Sequence, residues 1–193
     1  MTKRAAGVDA TRQSIVEAAK ELQASDGVIG TSFEAIAERA GVAQGTVYRH
    51  FPTLDELVPA CARTIHVLKP IDPEQASGAV PALPRASQRL EWLVRGTCDC
   101  YERDGGWINA ARREEDLVPA LGEIGKIQRE SLRVLVEAAL AGTEINPDVV
   151  PVLAALIDFP LWRSLRDAGL SEAMAADQIC ELVRHQLEKE RID

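Results

Sequence analysis

An all-α fold follows from three features of the 193-residue sequence. Apolar residues recur at helical offsets along most of its length. No strand-like alternation of four or more residues recurs, and no internal repeat is present. Capping residues precede the periodic stretches, and glycines close several of them. A hydrophobic fraction of 46% with 27% charged residues belongs to a globular chain that can bury a core without disulfide staples. About nine helices are expected.

The first helix carries Ile15, Ala18, Ala19 and Leu22 on one stripe, with Asp9 or Thr11 as its cap and Asp26-Gly27 as its end. The second carries Phe33, Ile36, Ala37 and Ala40. Thr31-Ser32-Phe33-Glu34 reads as a capping box before it, and Gly41 as its left-handed stop. A short third helix runs from about Gln44 to His50. The fourth starts after Thr53, with Thr53-x-x-Glu56 as a second capping box. Leu54, Leu57, Val58, Cys61 and Ile65 form its stripe, and Pro59 is expected to bend it.

Residues 70–84 then hold four of the ten prolines and mark a connector. The expected division is 1–69, a connector at 70–84, and 85–193. A fifth helix follows Leu90, Leu93, Val94, Thr97 and Tyr101 and should stop at Asp104-Gly105-Gly106. A sixth covers about Trp107 to Asp116, and a seventh about Pro119 to Ala141. An eighth spans about Pro147 to Ala168, and a ninth runs from Ser171, its N-cap, to Glu190.

Several function classes are set aside by absence of their signatures. The N-terminus leads into no apolar signal region, and no apolar run approaches the roughly 20 residues that span a bilayer. Secretion and membrane insertion are therefore not expected, and the cytoplasm is the expected compartment. Cys61, Cys98, Cys100 and Cys180 have neither zinc nor disulfide-framework spacing, so free thiols are expected. His50, His66 and His185 are far apart, and no phosphate loop, dinucleotide fingerprint or nucleophile elbow occurs. No catalytic residue, metal or cofactor is expected, and the chain is not read as an enzyme.

Charge is distributed unevenly. Residues 1–69 carry eight Lys/Arg and eight Asp/Glu. That leaves 14 of the 22 basic and 22 of the 30 acidic residues in 70–193, which is the whole net charge of −8. Coating of nucleic acid over the entire surface is excluded, but a local footprint at the neutral end is not.

That end holds a candidate helix-turn-helix at about residues 32–51. Gly41 permits the tight turn at Ala40-Gly41-Val42-Ala43, and Val42 with Val47 locks the two helices. The second helix would enter a major groove with Gln44, Thr46, Tyr48, Arg49 and His50. Gln suits adenine, Thr a thymine methyl, and Arg or His a base or phosphate, while Gly45 allows close backbone approach. The pattern Thr11-Arg12-x-x-Ile15-x-x-Ala18-Ala19-x-x-Leu22, Gly27, Thr31-Ser32-Phe33, Ile36-Ala37-x-x-Ala40-Gly41-Val42-x-x-Gly45-Thr46-x-Tyr48-x-x-Phe51 and Leu57 resembles the N-terminal domain of TetR-family transcriptional regulators.

The resemblance implies a three-helix DNA-reading domain followed by a helical ligand-binding and dimerisation domain. It further implies a repressor that binds palindromic double-stranded operator DNA as a homodimer and is released by a small molecule. Phosphate contacts would come from Thr31, Tyr48 and His50, and groove contacts from Gln44, Gly45, Thr46 and Arg49. Many family members place a cation about three residues after the Phe; here Leu54 stands there. Leu54 either faces phosphate or belongs to the apolar stripe, and Thr53, the helix N-terminus, or an arm of Lys3, Arg4 and Arg12 could supply the contact instead.

By the same resemblance, Trp92, Tyr101, Trp107, Phe159 and Trp162 are the candidate lining of an effector pocket, although aromatics at helical spacing also serve as core. Such a lining suits a small hydrophobic effector. Nearby Asp99, Glu102, Asp116 and Asp158 lean towards a cationic one or are simply solvated. The last two helices would form the dimer seam. A helical adaptor of the same fold that binds protein is the alternative, with an enzyme behind it. No tryptophan lies in residues 1–69, so intrinsic emission is expected to report effector and largely ignore DNA.

Overall fold

Ten α-helices and one 3-10 turn make up the regular structure of the described residues in a computed structural model of the chain, and they contain no strand. The described residues are 3–144 and 146–192; for 3–6 only the backbone is described, so the side chains of Lys3 and Arg4 lie outside them. The helices are α1 (Lys3–Asp26), α2 (Phe33–Ala40), α3 (Gln44–His50), α4 (Leu54–Ala62), α5 (Pro73–Ala79), α6 (Ala86–Arg113), α7 (Pro119–Ala139), α8 (Val149–Ile157), α9 (Phe159–Asp167) and α10 (Glu172–Glu190). They form two units, Met1–His66 with Asp104–Gly125, and Val67–Arg103 with Lys126–Asp193.

In the first unit α1 packs on α2 and α4, and α2 packs on α3. Ile15, Ala19, Ile36, Val47, Leu57, Val58, Cys61 and Ile65 are removed from water. The α1 stripe is as expected at Ile15, Ala18 and Ala19, but Leu22 is only half-buried while Gln23 is fully buried. Neither Asp9 nor Thr11 caps α1, because the helix begins further back; the Thr11 hydroxyl donates to the Gly7 carbonyl at 3.0 Å.

The expected stop at Asp104-Gly105-Gly106 is overturned: α6 runs unbroken through it. Gly106 serves close approach, since a Cβ there would lie 3.0 Å from the Ala24 methyl on α1. Around that contact, Lys20 Nζ meets Asp104 Oδ1 at 3.1 Å, and Trp107 Nε1 donates to Gln23 Oε1 at 2.7 Å. Beyond the helix, the Ile29 amide donates to Glu114 Oε2 at 2.8 Å. Tertiary bonds thus offset the roughly 1 kcal/mol that each helical glycine costs relative to alanine.

The second unit holds two further departures. The proline-rich stretch contains α5, started by Pro73 and a capping box between Asp72 and Gln75. The segment expected as one helix from Pro147 to Ala168 is two, broken at Asp158, whose backbone is extended (ψ 155°). Asp158 caps α9 by accepting the Phe159 amide at 2.8 Å, and Pro160 in the first turn favours that restart. Arg89 on α6 donates to three carbonyls, Ala139 (2.6 Å), Leu83 (2.7 Å) and Ala141 (3.0 Å), tying the end of α7 to the loop before α6. Ser171 caps α10, as expected, by accepting the Met174 amide.

The four cysteines are free and buried. Burial pushes the thiols of Cys61 and Cys98 up to about 12. An unfolded chain therefore loses these protons first as pH rises. The stability the thiols contribute is intact below about pH 9 and drains away as pH climbs from there towards 12. Urea midpoints at pH 7 and pH 10 should converge in a Cys61→Ala/Cys98→Ala variant relative to the wild type. An equal alkaline loss in both proteins would contradict the linkage. Gly106→Val should destabilise by about 1–3 kcal/mol through overpacking against α1, read as a lower urea midpoint with an unchanged slope.

Candidate nucleic-acid interface

The corner between α2 and α3 starts from a capped helix. Ser32 Oγ accepts the Ala35 amide at 3.1 Å, so Ser32, one residue later than the box expected from Thr31, is the N-cap. Gly41 closes α2 in the left-handed region (φ 67°, ψ 33°), with its amide on the Glu38 carbonyl and the next amide, Val42, on that of Ala37. α3 then begins after Ala43, and Val47 and Phe51 seat it by burying their side chains. Thr53 precedes α4 without the side-chain cap expected of it.

Burying Val47 leaves Gln44, Gly45, Tyr48 and Arg49 exposed, with Thr46 and His50 half-buried. Tyr48 is 49% exposed and leans on Phe33 of α2, ring centroids 5.0 Å apart. Arg49 Nη2 donates to Thr46 Oγ1 at 3.4 Å. A Cβ at Gly45 would meet open space, so nothing within the described chain requires glycine there. Thr31 differs from the rest of the expected set: it is buried, and its hydroxyl donates to the Gly27 carbonyl at 2.7 Å, holding the loop before α2. Leu54 is half-buried, beside fully buried Leu57 and Val58. Arg12 lies with its guanidinium carbon 4.6 Å from the Phe51 ring centroid. Phe33 and Phe51 are the ring supports of Tyr48 and Arg12, roles the sequence reading did not give them when it placed them in the apolar stripe and the family pattern.

Of the five candidate effector residues, three come together. Tyr101 lies 5.3 Å from Phe159 and 5.7 Å from Trp162 between ring centroids, and all three are buried. The Trp162 indole N–H is buried with no partner among the described residues. Trp92 is 43% exposed, and Trp107 belongs to the first unit, bonded to Gln23. The suggested acidic neighbours are partly engaged, Glu102 by Arg166 at 3.1 Å and Asp158 by Gln128 at 3.1 Å. A separate cleft of about 360 Å³, not anticipated from sequence, is lined by Arg85, Gln88, Glu91, Arg184 and Glu188 among others. Among the described residues no group of three or more His, Cys, Asp or Glu is placed to hold a metal, and no helix is long and apolar enough to cross a membrane.

Comparison with known proteins bears on this corner directly. Residues 15–61 match the family model of bacterial regulatory proteins, tetR family. The HTH-type transcriptional repressor KstR of Rhodococcus jostii is 25% identical over 174 residues, covering 87% of this chain and 76% of that protein. The HTH-type transcriptional regulator TtgR of Pseudomonas putida is 43% identical over 56 residues, 29% of this chain and 27% of its own length. A transcriptional regulator from Rhodococcus sp. Rha1 shares the fold, with a TM-score of 0.74 at 21% identity over 94% of this chain and 98% of that one. With its left-handed corner and outward third helix, the matched segment is a TetR-type helix-turn-helix, and the chain is similar to DNA-binding transcriptional regulators of that family.

Proposed function

We propose that the protein is a repressor that binds a palindromic operator as a homodimer and is released by a small hydrophobic effector. In this reading residues 1–69 form the reading domain, 70–84 the connector, and 85–193 the effector and dimerisation domain. The observation that carries the reading is the outward face of α3. Gln44, Tyr48 and Arg49 project from a helix fixed by buried Val47 and Phe51, and a glycine that the described chain itself does not require sits among them. Gln44, Thr46 and Arg49 read base edges, while Tyr48, His50 and Arg12 meet phosphates. Thr31 acts by holding the loop. The effector engages the Tyr101, Phe159 and Trp162 cluster, the last two helices form the dimer seam, and the protein works in the cytoplasm without catalysing a reaction.

Footprinting on duplex selected from random sequence should show two symmetric protected half-sites on one face. A single asymmetric half-site would overturn the dimer. Tyr48→Ala and Gln44→Ala should each weaken binding by about 1–3 kcal/mol. Gly45→Ala should do the opposite to stability and affinity, raising the former by up to about 1 kcal/mol through helix propensity while lowering the latter by crowding the DNA. An alanine at 45 that binds as tightly as glycine would remove the argument for close approach.

Placement of Trp107 in the first unit alters the expected use of intrinsic emission, because one tryptophan now sits with α1. In a Trp107→Phe background, emission from Trp92 and Trp162 should fall over the same effector concentrations that release operator, as reciprocal coupling requires. Saturating quench with unchanged operator affinity would exclude induction.

A further inference from the structure

Between residues 7 and 66, carboxylates engage two of the five Lys/Arg side chains. Lys20 is held by Asp104 at 3.1 Å, and Arg39 is held by Glu21, its Nε 2.8 Å from the carboxylate. Arg12, Arg49 and Arg63 have no ion pair among the described residues. Arg49 rides on α3 itself. Arg12 comes from α1, yet its guanidinium rests against Phe51, the C-cap of α3. Asp9 stands one turn before Arg12 on α1 and makes no ion pair with it.

The choice of partner matters. A carboxylate would fix Arg12 but cancel its charge and occupy its donors. An aromatic face attracts the cation while leaving the full charge in place and N–H groups free to bond elsewhere. Phe51 is 1% exposed and α3 ends on it, so the ring is immobilised by the same burial that seats the reading helix. Three residues later α4 opens on the uncharged Leu54, followed in its first turn by Asp55 and Glu56, so this turn supplies no cation of its own.

We propose that Phe51 is a positioning residue for DNA binding: its ring holds the unneutralised guanidinium of Arg12 at the C-terminal end of the reading helix, where Arg12 bonds a backbone phosphate. The proposal rests on the DNA-contact reading of α3, and Phe51 itself touches no DNA.

Salt dependence separates this role from a structural one, with operator duplex selected from random sequence by the wild-type protein as the probe. Arg12→Met should lower affinity about tenfold and reduce the slope of log K against log salt by about 0.9, the release of one counterion. Arg12→Lys should keep the slope and lose only a few-fold in affinity, because charge stays but planar stacking goes. Phe51→Leu should match Arg12→Lys, and in the Arg12→Met background it should cost nothing further. Leu54→Lys added to Arg12→Met should restore the slope, since it returns a cation three residues from the platform. Circular dichroism melting confirms that each variant is folded at the assay temperature. An Arg12→Met slope equal to wild type would overturn the proposal even if Phe51→Leu failed to fold. Independent losses from Arg12→Met and Phe51→Leu would overturn the positioning role while leaving the phosphate contact. Wild-type protein that selects no duplex would instead remove the DNA-contact reading beneath both.

Discussion

A single left-handed residue, Gly41, sets the direction in which this protein presents its third helix. An L-residue with a side chain pays about 1–2 kcal/mol to sit at its φ of 67°, and glycine does not. Because the chain reverses there, the Val42 amide can close on the Ala37 carbonyl, and α3 is laid against α2. Val47 then turns inward, and on a helix of 3.6 residues per turn that leaves Gln44, Tyr48 and Arg49 pointing out. Tyr48 is steadied by Phe33, and Phe51 closes the helix under the Arg12 guanidinium. Tyr48 and Arg12 are thus each backed by an aromatic ring, and the ring under Arg12 is buried at the end of that helix.

The first unit also draws on residues remote in sequence. Asp104, Trp107 and Glu114 each bond α1 or the loop after it, and two of those bonds engage groups that are nearly or fully out of water. A buried polar group left without its partner costs more than the bond itself contributes, about 1–3 kcal/mol. Gln23, fully buried on α1, is tolerable in part because Trp107 donates to its carbonyl oxygen. The glycine at 106 has the same origin: a side chain there would collide with Ala24 and push these partners apart.

Charge follows the same local logic. A chain of net charge −8 is poorly suited to nucleic acid as a whole, and its first 69 residues are only neutral. What matters is which cations are cancelled. Carboxylates hold Lys20 and Arg39, whereas the groups against Arg12 and Arg49 are a ring and a hydroxyl, which leave the charge uncancelled. A small uncompensated cluster beside one helix is sufficient for a local footprint, because counterion release counts the phosphates met, not the net charge of the protein.

Periodicity, glycine and capping residues alone determined that the chain is helical, where α3 lies, and that Gly41 turns the corner, because these depend on interactions within a few residues. They also exposed Gln44, Tyr48 and Arg49, since one buried position on a short helix orients the others. Tertiary structure decided what local signals cannot weigh. Asp104-Gly105-Gly106 reads as a stop until Gln23, Lys20 and Ala24 are beside it, and the helix is then worth continuing. Asp158 looked like a residue within one helix, yet its carboxylate caps the next. Thr31 looked outward until Gly27 took its hydroxyl, and Trp107 belonged to an effector lining until Gln23 claimed its N–H. In each case the deciding partner is distant in sequence or depends on backbone geometry that composition does not record, so only the folded chain brings the two groups within bonding distance.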